Sequence, residues 1–231
     1  MQLLSIPEAA RELHVNPSRA RALVASGELA GVKVGGRWLV DGAAVADRRR
    51  SSRPAGRPLS ASNAWGALFI SSGEKASWLG PQALWRVRQS LKARGLNELK
   101  PRLVRRAESK RFLAHPGELK RLGNRPDLAK SGISAAAAHG LDLVVGAELD
   151  GYVRAGNLSA IEREHALEPA EGMEGNVLLR IVPDSAWHLS GGVVPLAAVA
   201  IDLSEEADAR SVRAGKKAIA DVERALKKQA A

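Results

Sequence analysis

The chain has 231 residues, no cysteine and only 3% aromatic residues, so disulfides and thiolate metal sites are excluded and any core must be built from Ala, Leu and Val. Its formal net charge is +10, distributed as +5 over residues 1–59, +10 over residues 60–130 and −5 over residues 131–231. This distribution favours a nucleic-acid partner for the first 130 residues, because Lys and Arg release counterions from phosphates. The alternative is a solvated basic surface.

The first segment predicts two short helices joined by a turn. Ser5 is a candidate N-cap for a helix that continues to Leu13. Asn16 is the candidate N-cap of a second helix, which ends near Ser26 with Gly27 as its stop signal. Two short helices at this spacing are typical of a helix-turn-helix.

A β-hairpin is predicted directly after the second helix. Residues 32–34 and 37–40 are rich in β-formers and flank the pair Gly35-Gly36, which is a strong signal for a two-residue hairpin turn. Asp41 then caps a short helix over residues 42–49.

The second helix carries the candidate base-reading residues. Ala20, Leu23 and Val24 recur at the spacing of one inward face, so their neighbours point outward or sideways. In a helix-turn-helix, the N-terminal residues of the second helix contact base edges in the major groove. The hairpin tip is suited to the sugar-phosphate backbone or to the minor groove. The candidate contacts are Ser18, Arg19, Arg21, Lys33 and Arg37.

Three motifs in this segment resemble a known domain family. Residues 5–13, residues 15–24 with 27–29, and residues 34–40 occur in the order of the excisionase-type branch of MerR-like helix-turn-helix domains. The resemblance covers residues 3–49. It implies that the second helix enters the major groove, that the hairpin is a wing on the DNA backbone, and that the five candidate residues contact DNA. Trp38 has the alternative role of packing the wing onto the small core.

A Pro- and Gly-containing linker is predicted over residues 51–59, and the remainder forms one larger unit. Helices are expected over residues 60–72, 80–94, 96–108, 134–139 and 208–228, and strands over residues 177–182 and 194–203. Arg102, Arg105 and Arg106 in the third of these helices are further candidate DNA contacts. An acidic partner, or a solvated helix face, remains an alternative.

The larger unit resembles a second family. Residues 114–119, 131–136, 175–183, 194–203 and 208–215 are similar to the C-terminal domains of AbiEi-like antitoxins of type IV toxin–antitoxin systems. That resemblance implies a C-terminal α+β domain, repression of the protein's own operon, and a cognate nucleotidyltransferase toxin as a functional partner that need not be in physical contact.

The predicted fold class is α+β, with a winged helix-turn-helix over residues 1–50, a linker over 51–59 and a mixed domain over 60–231. The predicted function is a sequence-specific transcriptional regulator on double-stranded DNA, in the form of an antitoxin-like autorepressor. One alternative is an excisionase-like recombination or architectural factor. Another is a regulator whose C-terminal domain binds a protein or a small molecule.

Several classes of site have no support in the sequence. The five histidines show no metal-ligand spacing, and no phosphate-binding loop or nucleophile motif is present. We therefore expect no enzyme activity, no cofactor and no metal. The N-terminus lacks the features of a signal peptide and no apolar run could span a bilayer, so a cytoplasmic protein is expected. A homodimer on DNA remains open.

Overall fold

The computed structural model describes residues 3–13, 15–26, 29–51, 57–144, 146–170, 175–206 and 208–229. The chain divides into two compact units, Met1–Pro54 and Ala55–Ala231, called unit 1 and unit 2. Both combine helices and strands, which confirms the α+β class. Gly27 and linker residues 52–56, to which the sequence analysis gave roles, lie outside the described residues.

Unit 1 is a helix-turn-helix with a three-stranded antiparallel sheet of order β1-β3-β2. The strand β1 was not predicted from the sequence; it pairs with β3 over three residues. The elements are β1 (Leu3–Ser5), α1 (Ile6–Glu12), α2 (Pro17–Ala25), β2 (Gly31–Val34), β3 (Arg37–Asp41) and α3 (Gly42–Ser51).

The predicted caps of unit 1 are confirmed. The Ser5 hydroxyl accepts from the Glu8 backbone N–H, while the Glu8 carboxylate accepts from the Ser5 N–H at 2.8 Å, which makes a complete capping box. These bonds from Ser5 lower the pKa of Glu8. The Asp41 carboxylate accepts from the Ala43 N–H at 2.9 Å and so holds the start of α3.

Unit 2 is built around a six-stranded sheet of order β7-β4-β8-β6-β5-β9, in which β6 pairs with β8, and β5 with β9, in parallel. Its elements are α4 (Ala61–Ser71), α5 (Pro81–Leu99), β4 (Glu108–Leu113), α6 (Pro116–Gly123), β5 (Leu128–Lys130), α7 (Gly132–Ala135), β6 (Leu149–Arg154), α8 (Leu158–Glu164), β7 (Glu168–Pro169), β8 (Val177–Val182), β9 (Gly192–Val193), α9 (Leu196–Leu203) and α10 (Ala209–Gln229).

The sheet of unit 2 separates two hydrophobic cores. Side chains alternate between the faces of a strand, so Tyr152 of β6 belongs to the core under α4, α5, α9 and α10, whereas Val153 belongs to the core under α6 and α8. Trp65 of α4 is fully buried against Tyr152, with ring centroids 4.8 Å apart. Unit 2 therefore has helices on both faces of its sheet.

The prediction of a helix over residues 96–108 is wrong. The chain leaves helical geometry at Gly95, where φ is +74°, a conformation that glycine adopts without a steric penalty. The helix ends at Leu99, two 3₁₀ turns cover Lys100–Arg102 and Val104–Arg106, and β4 then begins at Glu108. The ring of Pro101 lies in the first of these turns and disfavours a longer α-helix.

The prediction of a strand over residues 194–203 is also wrong, because Leu196–Leu203 form the helix α9. All residues of α9 except Leu196 are buried. Apart from Asp202 the segment is apolar on every side, so its sequence has no amphipathic period. A buried strand and a buried helix cannot be distinguished by periodicity in such a run. The helix predicted over residues 134–139 is replaced by α7 and a 3₁₀ turn, Ala137–His139.

Candidate nucleic-acid interface

The second helix of unit 1 presents its two faces as predicted. Ala20, Leu23 and Val24 of α2 are buried in the core of the unit. Ser18 and Arg19, which precede Ala20, and Arg21, which follows it, are exposed. The first turns of α2 therefore display one hydroxyl and two guanidinium groups to solvent.

The N-terminus of α2 is fixed by the cap predicted from the sequence. The Asn16 side chain accepts a hydrogen bond from the Arg19 backbone N–H at 2.7 Å, and Pro17 occupies the first helical position, where no N–H is needed. The cap sets the direction in which the chain enters the helix. Since the N-terminal end of a helix carries partial positive charge, it adds to the attraction of Arg19 and Arg21 for phosphate.

The hairpin of unit 1 forms as predicted, with a two-residue turn. Gly35 and Gly36 have φ values of +55° and +80°, which are the left-handed conformations that a type I′ turn requires at both central positions. Val34 pairs with Arg37 and Lys33 with Trp38. The turn thus places both cationic residues of the wing within two positions of its tip.

Lys33 and Arg37 project from opposite faces of the hairpin. Directly paired residues lie on the same face of a sheet, so Lys33 shares a face with Trp38, and Arg37 shares the other face with Val34. Both cations are exposed, while Trp38 is half-buried and packs against the core of unit 1. Trp38 therefore has the packing role that the sequence left open, and the two cations would meet different sides of a bound backbone.

Of the three arginines predicted as DNA contacts in unit 2, only Arg105 is exposed. Arg102 is half-buried, and its Nε donates to the Arg57 carbonyl at 3.0 Å. Arg106 is 5% exposed. The assignment of Arg106 to a DNA-facing surface is therefore wrong, because a buried guanidinium cannot reach a phosphate.

Arg106 belongs to a buried charge network between the sheet and α9. Its Nη2 lies 2.7 Å from Asp202 and 2.6 Å from Glu205. Arg180 bonds Asp150 through two nitrogens, each at 2.9 Å. Its Nε also lies 3.5 Å from Asp202, which links the two ion pairs.

Two hydroxyl groups complete the network around Asp202. Tyr152 donates to Asp202 at 3.0 Å, and the Ser131 hydroxyl donates to its other oxygen. Burial works to raise the pKa of Asp202, but Arg180 and Arg106 outweigh it, so the pKa is lowered. Burial raises the pKa of the Tyr152 hydroxyl, which therefore stays protonated and able to donate. The network links β6, β8 and α9 through buried side chains.

A second cationic surface in unit 2 was missed by the sequence analysis. The helix α10 contains seven basic and two acidic residues, whereas residues 131–231 as a whole carry −5. Averaging over that long segment concealed a strongly positive helix, and counting charge per predicted helix would have found it. All seven basic residues of α10 are exposed. Six of them, called the α10 ridge, are Arg210, Arg213, Lys216, Lys217, Arg224 and Lys228, and the seventh is Lys227.

Residues 3–53 match a protein family described as a helix-turn-helix domain. Neither a curated protein nor a solved structure matches the chain. Unit 1 is thus a helix-turn-helix with a wing, the class of domain that DNA-binding regulators carry.

The described part of the chain lacks two other kinds of site. None of its helices combines the length and apolarity needed to cross a bilayer. No group of three or more His, Cys, Asp or Glu side chains among these residues could hold a metal ion.

Proposed function

We propose that this protein is a sequence-specific transcriptional regulator that binds double-stranded DNA through unit 1. The observation that carries the proposal is the exposure of Ser18, Arg19 and Arg21 on the first turns of a helix whose opposite face is buried. A helix in this position of a helix-turn-helix enters the major groove with its N-terminal residues on base edges.

The chemistry of these side chains suits base reading. Each arginine can donate two hydrogen bonds to O6 and N7 of guanine, and serine can bond several bases. Lys33 and Arg37 on the wing are suited to phosphates, which fix the orientation of a protein on DNA without reading sequence. In this proposal, α2 determines which DNA sequence is bound, and the wing fixes the orientation of the protein on the DNA.

Selection of bound duplexes from a random pool by the full-length chain tests this function. We expect a short motif containing guanine to be enriched, and a duplex with that motif to bind at least tenfold more tightly than a scrambled duplex. Equal affinity for the selected and scrambled duplexes would contradict sequence-specific regulation.

The finer proposal is an autorepressor of a toxin–antitoxin operon. Its support is the similarity of the larger domain to AbiEi-like antitoxins, and it implies a nucleotidyltransferase toxin as the functional partner. A reporter driven by the protein's own promoter should be repressed by the chain, and co-expression should relieve growth arrest by a neighbouring nucleotidyltransferase gene product. Reporter expression that is the same with and without the chain would contradict this role.

A cytoplasmic location is part of the same proposal, since a regulator must share a compartment with its DNA.

A homodimer is proposed for the DNA-bound state, because one small helix-turn-helix rarely supplies enough contacts for specific binding. Sedimentation of the complex with the selected duplex should show two chains per site.

An excisionase-like architectural role instead predicts DNA bending, which a phasing assay measures.

Binding of a protein or small molecule by unit 2 has one observation in its favour. A groove of about 1020 Å³ lies between α5 and α10, and its lining includes Leu84, Leu91 and Leu226 with the cations Arg88 and Lys92. The lining also contains Glu74, Lys75, Arg94, Glu98, Glu223 and Lys227, so this groove suits a ligand that combines an apolar part with charged groups. A thermal-shift screen of the full chain against metabolites tests this alternative.

A further inference from the structure

We infer that the α10 ridge is a second DNA-contacting surface, which binds the phosphate backbone of double-stranded DNA without reading its sequence. The inference rests on the proposed DNA-binding function and extends it to unit 2. Its basis is the arrangement of six exposed cations along one face of a helix that is firmly packed on the opposite face.

The cations form a single row. At 100° per residue, the six side chains fall within an arc of about 120°. From Arg210 to Lys228 the row is about 27 Å long, which is comparable to one turn of duplex DNA at about 34 Å. Cations three or four residues apart on a helix are about 5–6 Å from each other, and Lys217 and Arg224, seven residues apart, are separated by about 10 Å. Several phosphates can therefore be engaged at once.

The opposite face of α10 is anchored in the core. Ala218, Ile219 and Val222 are buried in the same hydrophobic cluster as α9. Gly215 lies so close to α9 that a Cβ there would be 2.4 Å from the Ser204 nitrogen. The ridge is therefore held on a fixed helix, and its binding to a polyanion needs no rearrangement of the backbone.

The row is electrostatically unfavourable by itself. Arg213 and Lys217, like Arg224 and Lys228, are four residues apart on the helix, and like charges at this spacing repel one another. In the described part of the chain, Arg213, Lys216 and Lys217 form no ion pair, and the pair formed by Arg224 is with Asp221. An arrangement that repels itself gains most from a partner of dense negative charge, and a DNA duplex has one phosphate per about 1.7 Å of its axis.

The composition of the ridge also indicates how it would bind. Ala220 lies among the cations, and the row contains no Asn, Gln, Ser or Thr that could read base edges. Arginine can read guanine, but these cations lie in a row along the side of a helix whose other face is packed in the core. They are therefore placed to follow a phosphate backbone and not to enter the major groove with a helix end, as the second helix of a helix-turn-helix does. The ridge should therefore strengthen binding to every duplex by the same factor and leave the preference for the specific site unchanged.

The test replaces Arg213, Lys216 and Lys217 by glutamine in the full-length chain, which keeps good helix formers at exposed positions. Affinity for the selected duplex and for a scrambled duplex is measured between 50 and 200 mM salt. We expect the slope of log K against log salt to become shallower by about two to three on both duplexes. The ratio of the two affinities should stay constant, and thermal unfolding should be unchanged.

The matched control removes three exposed cations from other elements of unit 2, by Lys75→Gln, Lys120→Gln and Arg163→Gln. It changes the net charge by the same amount, so it separates the ridge from general attraction. A ridge variant with the same slope as this control would overturn the inference. Failure of the proposed function gives a different result. The wild type would then bind the selected and the scrambled duplex with equal affinity, whatever the salt slope of the ridge variant.

Discussion

At the scale of single residues, burial decides what an arginine does in this chain. Arg105 and Arg106 are neighbours in sequence, but Arg105 is exposed and Arg106 is enclosed with Asp202 and Glu205. The sequence could not separate them, because the basic stretch has no amphipathic period once it leaves α5 and enters 3₁₀ turns. An arginine that pairs with buried carboxylates contributes to stability, whereas the exposed Arg19 and Arg21 are accessible to a partner.

Replacing Asp202 by asparagine should destabilise unit 2 strongly. The change leaves the guanidinium groups of Arg106 and Arg180 buried with one negative charge fewer, and breaking a buried pair in this way costs about 3–5 kcal/mol. Urea unfolding followed by tryptophan fluorescence measures the loss. The matched control is Asp184→Asn, because Asp184 pairs with Arg154 at 2.9 Å on the surface, where such a pair contributes about 0–1 kcal/mol. Equal losses would contradict the importance of the network.

Arg19→Ala and Arg21→Ala should each weaken specific binding by about 1–3 kcal/mol if the side chain reads a base. The loss should be smaller on the scrambled duplex, because a base contact is made only at the specific site. Fluorescence anisotropy with both duplexes measures it. Arg11→Ala, at an exposed position of α1, is a control for general charge. The same loss on both duplexes would assign the arginine to phosphate instead.

At the scale of elements, the amphipathic and capped segments could be predicted, and the enclosed ones could not. The N-cap at Asn16 and the glycine pair of the hairpin are local signals, and both formed as expected. The helix α9 is buried all round, so its identity depends on tertiary packing that no short pattern records. The cations of the α10 ridge could have been predicted from the sequence, but the net charge was summed over residues 131–231, where acidic residues outnumber them.

Asn16→Ala should destabilise unit 1 by about 1 kcal/mol, because the Arg19 N–H loses its acceptor at the start of α2. Asn16→Asp keeps an oxygen acceptor and should retain most of the stability. Hydrogen exchange of the α2 backbone amides in the full-length chain compares the two, because Trp38 is one of five tryptophans and its fluorescence overlaps with that of the other four. A fall in stability for the aspartate variant as large as that for alanine would show that the cap is not the cause.

Arg37→Ala should weaken binding to all duplexes and lower the salt slope by about one, as expected for loss of one phosphate contact. Because Lys33 projects from the other face of the hairpin, Lys33→Ala is measured separately rather than taken as equivalent. An Arg37→Ala slope equal to that of the wild type would remove Arg37 from the DNA contacts.

At the scale of the whole molecule, the charge of the chain is separated by element. Exposed cations lie on α2, on the wing, on α5 and on α10, whereas four carboxylates of unit 2 lie in or beside the buried network, namely Asp150, Asp202, Glu205 and Glu206. Glu206 stands at the edge of that network. It lies 3.4 Å from Arg180 and 4.0 Å from Arg111. Even so, burial, with a contribution from Asp150, raises its pKa from 4.5 to about 7.

The raised pKa of Glu206 predicts how stability changes with pH. Between pH 4.5 and about 7 the unfolded chain loses this proton while the folded chain keeps it, so the contribution of Glu206 to stability falls as pH rises. Above about pH 7 the carboxylate is charged in both states, and the penalty is constant. Asp150, Asp202, Arg111 and Arg180 face the group, and their charges are included in this pKa.

Glu206→Gln removes the penalty. The variant should therefore become more stable than the wild type as pH rises from 4.5 to 7, and keep an advantage on the order of 1–3 kcal/mol at pH 8. Urea unfolding at a series of pH values measures the difference between the two proteins, which cancels the titration of all other groups. Glu148→Gln, at an exposed position, is the control. A stability difference that does not change between pH 4.5 and 8 would show that Glu206 has the same pKa in the folded and the unfolded chain, and that Arg180 and Arg111 compensate fully for its burial.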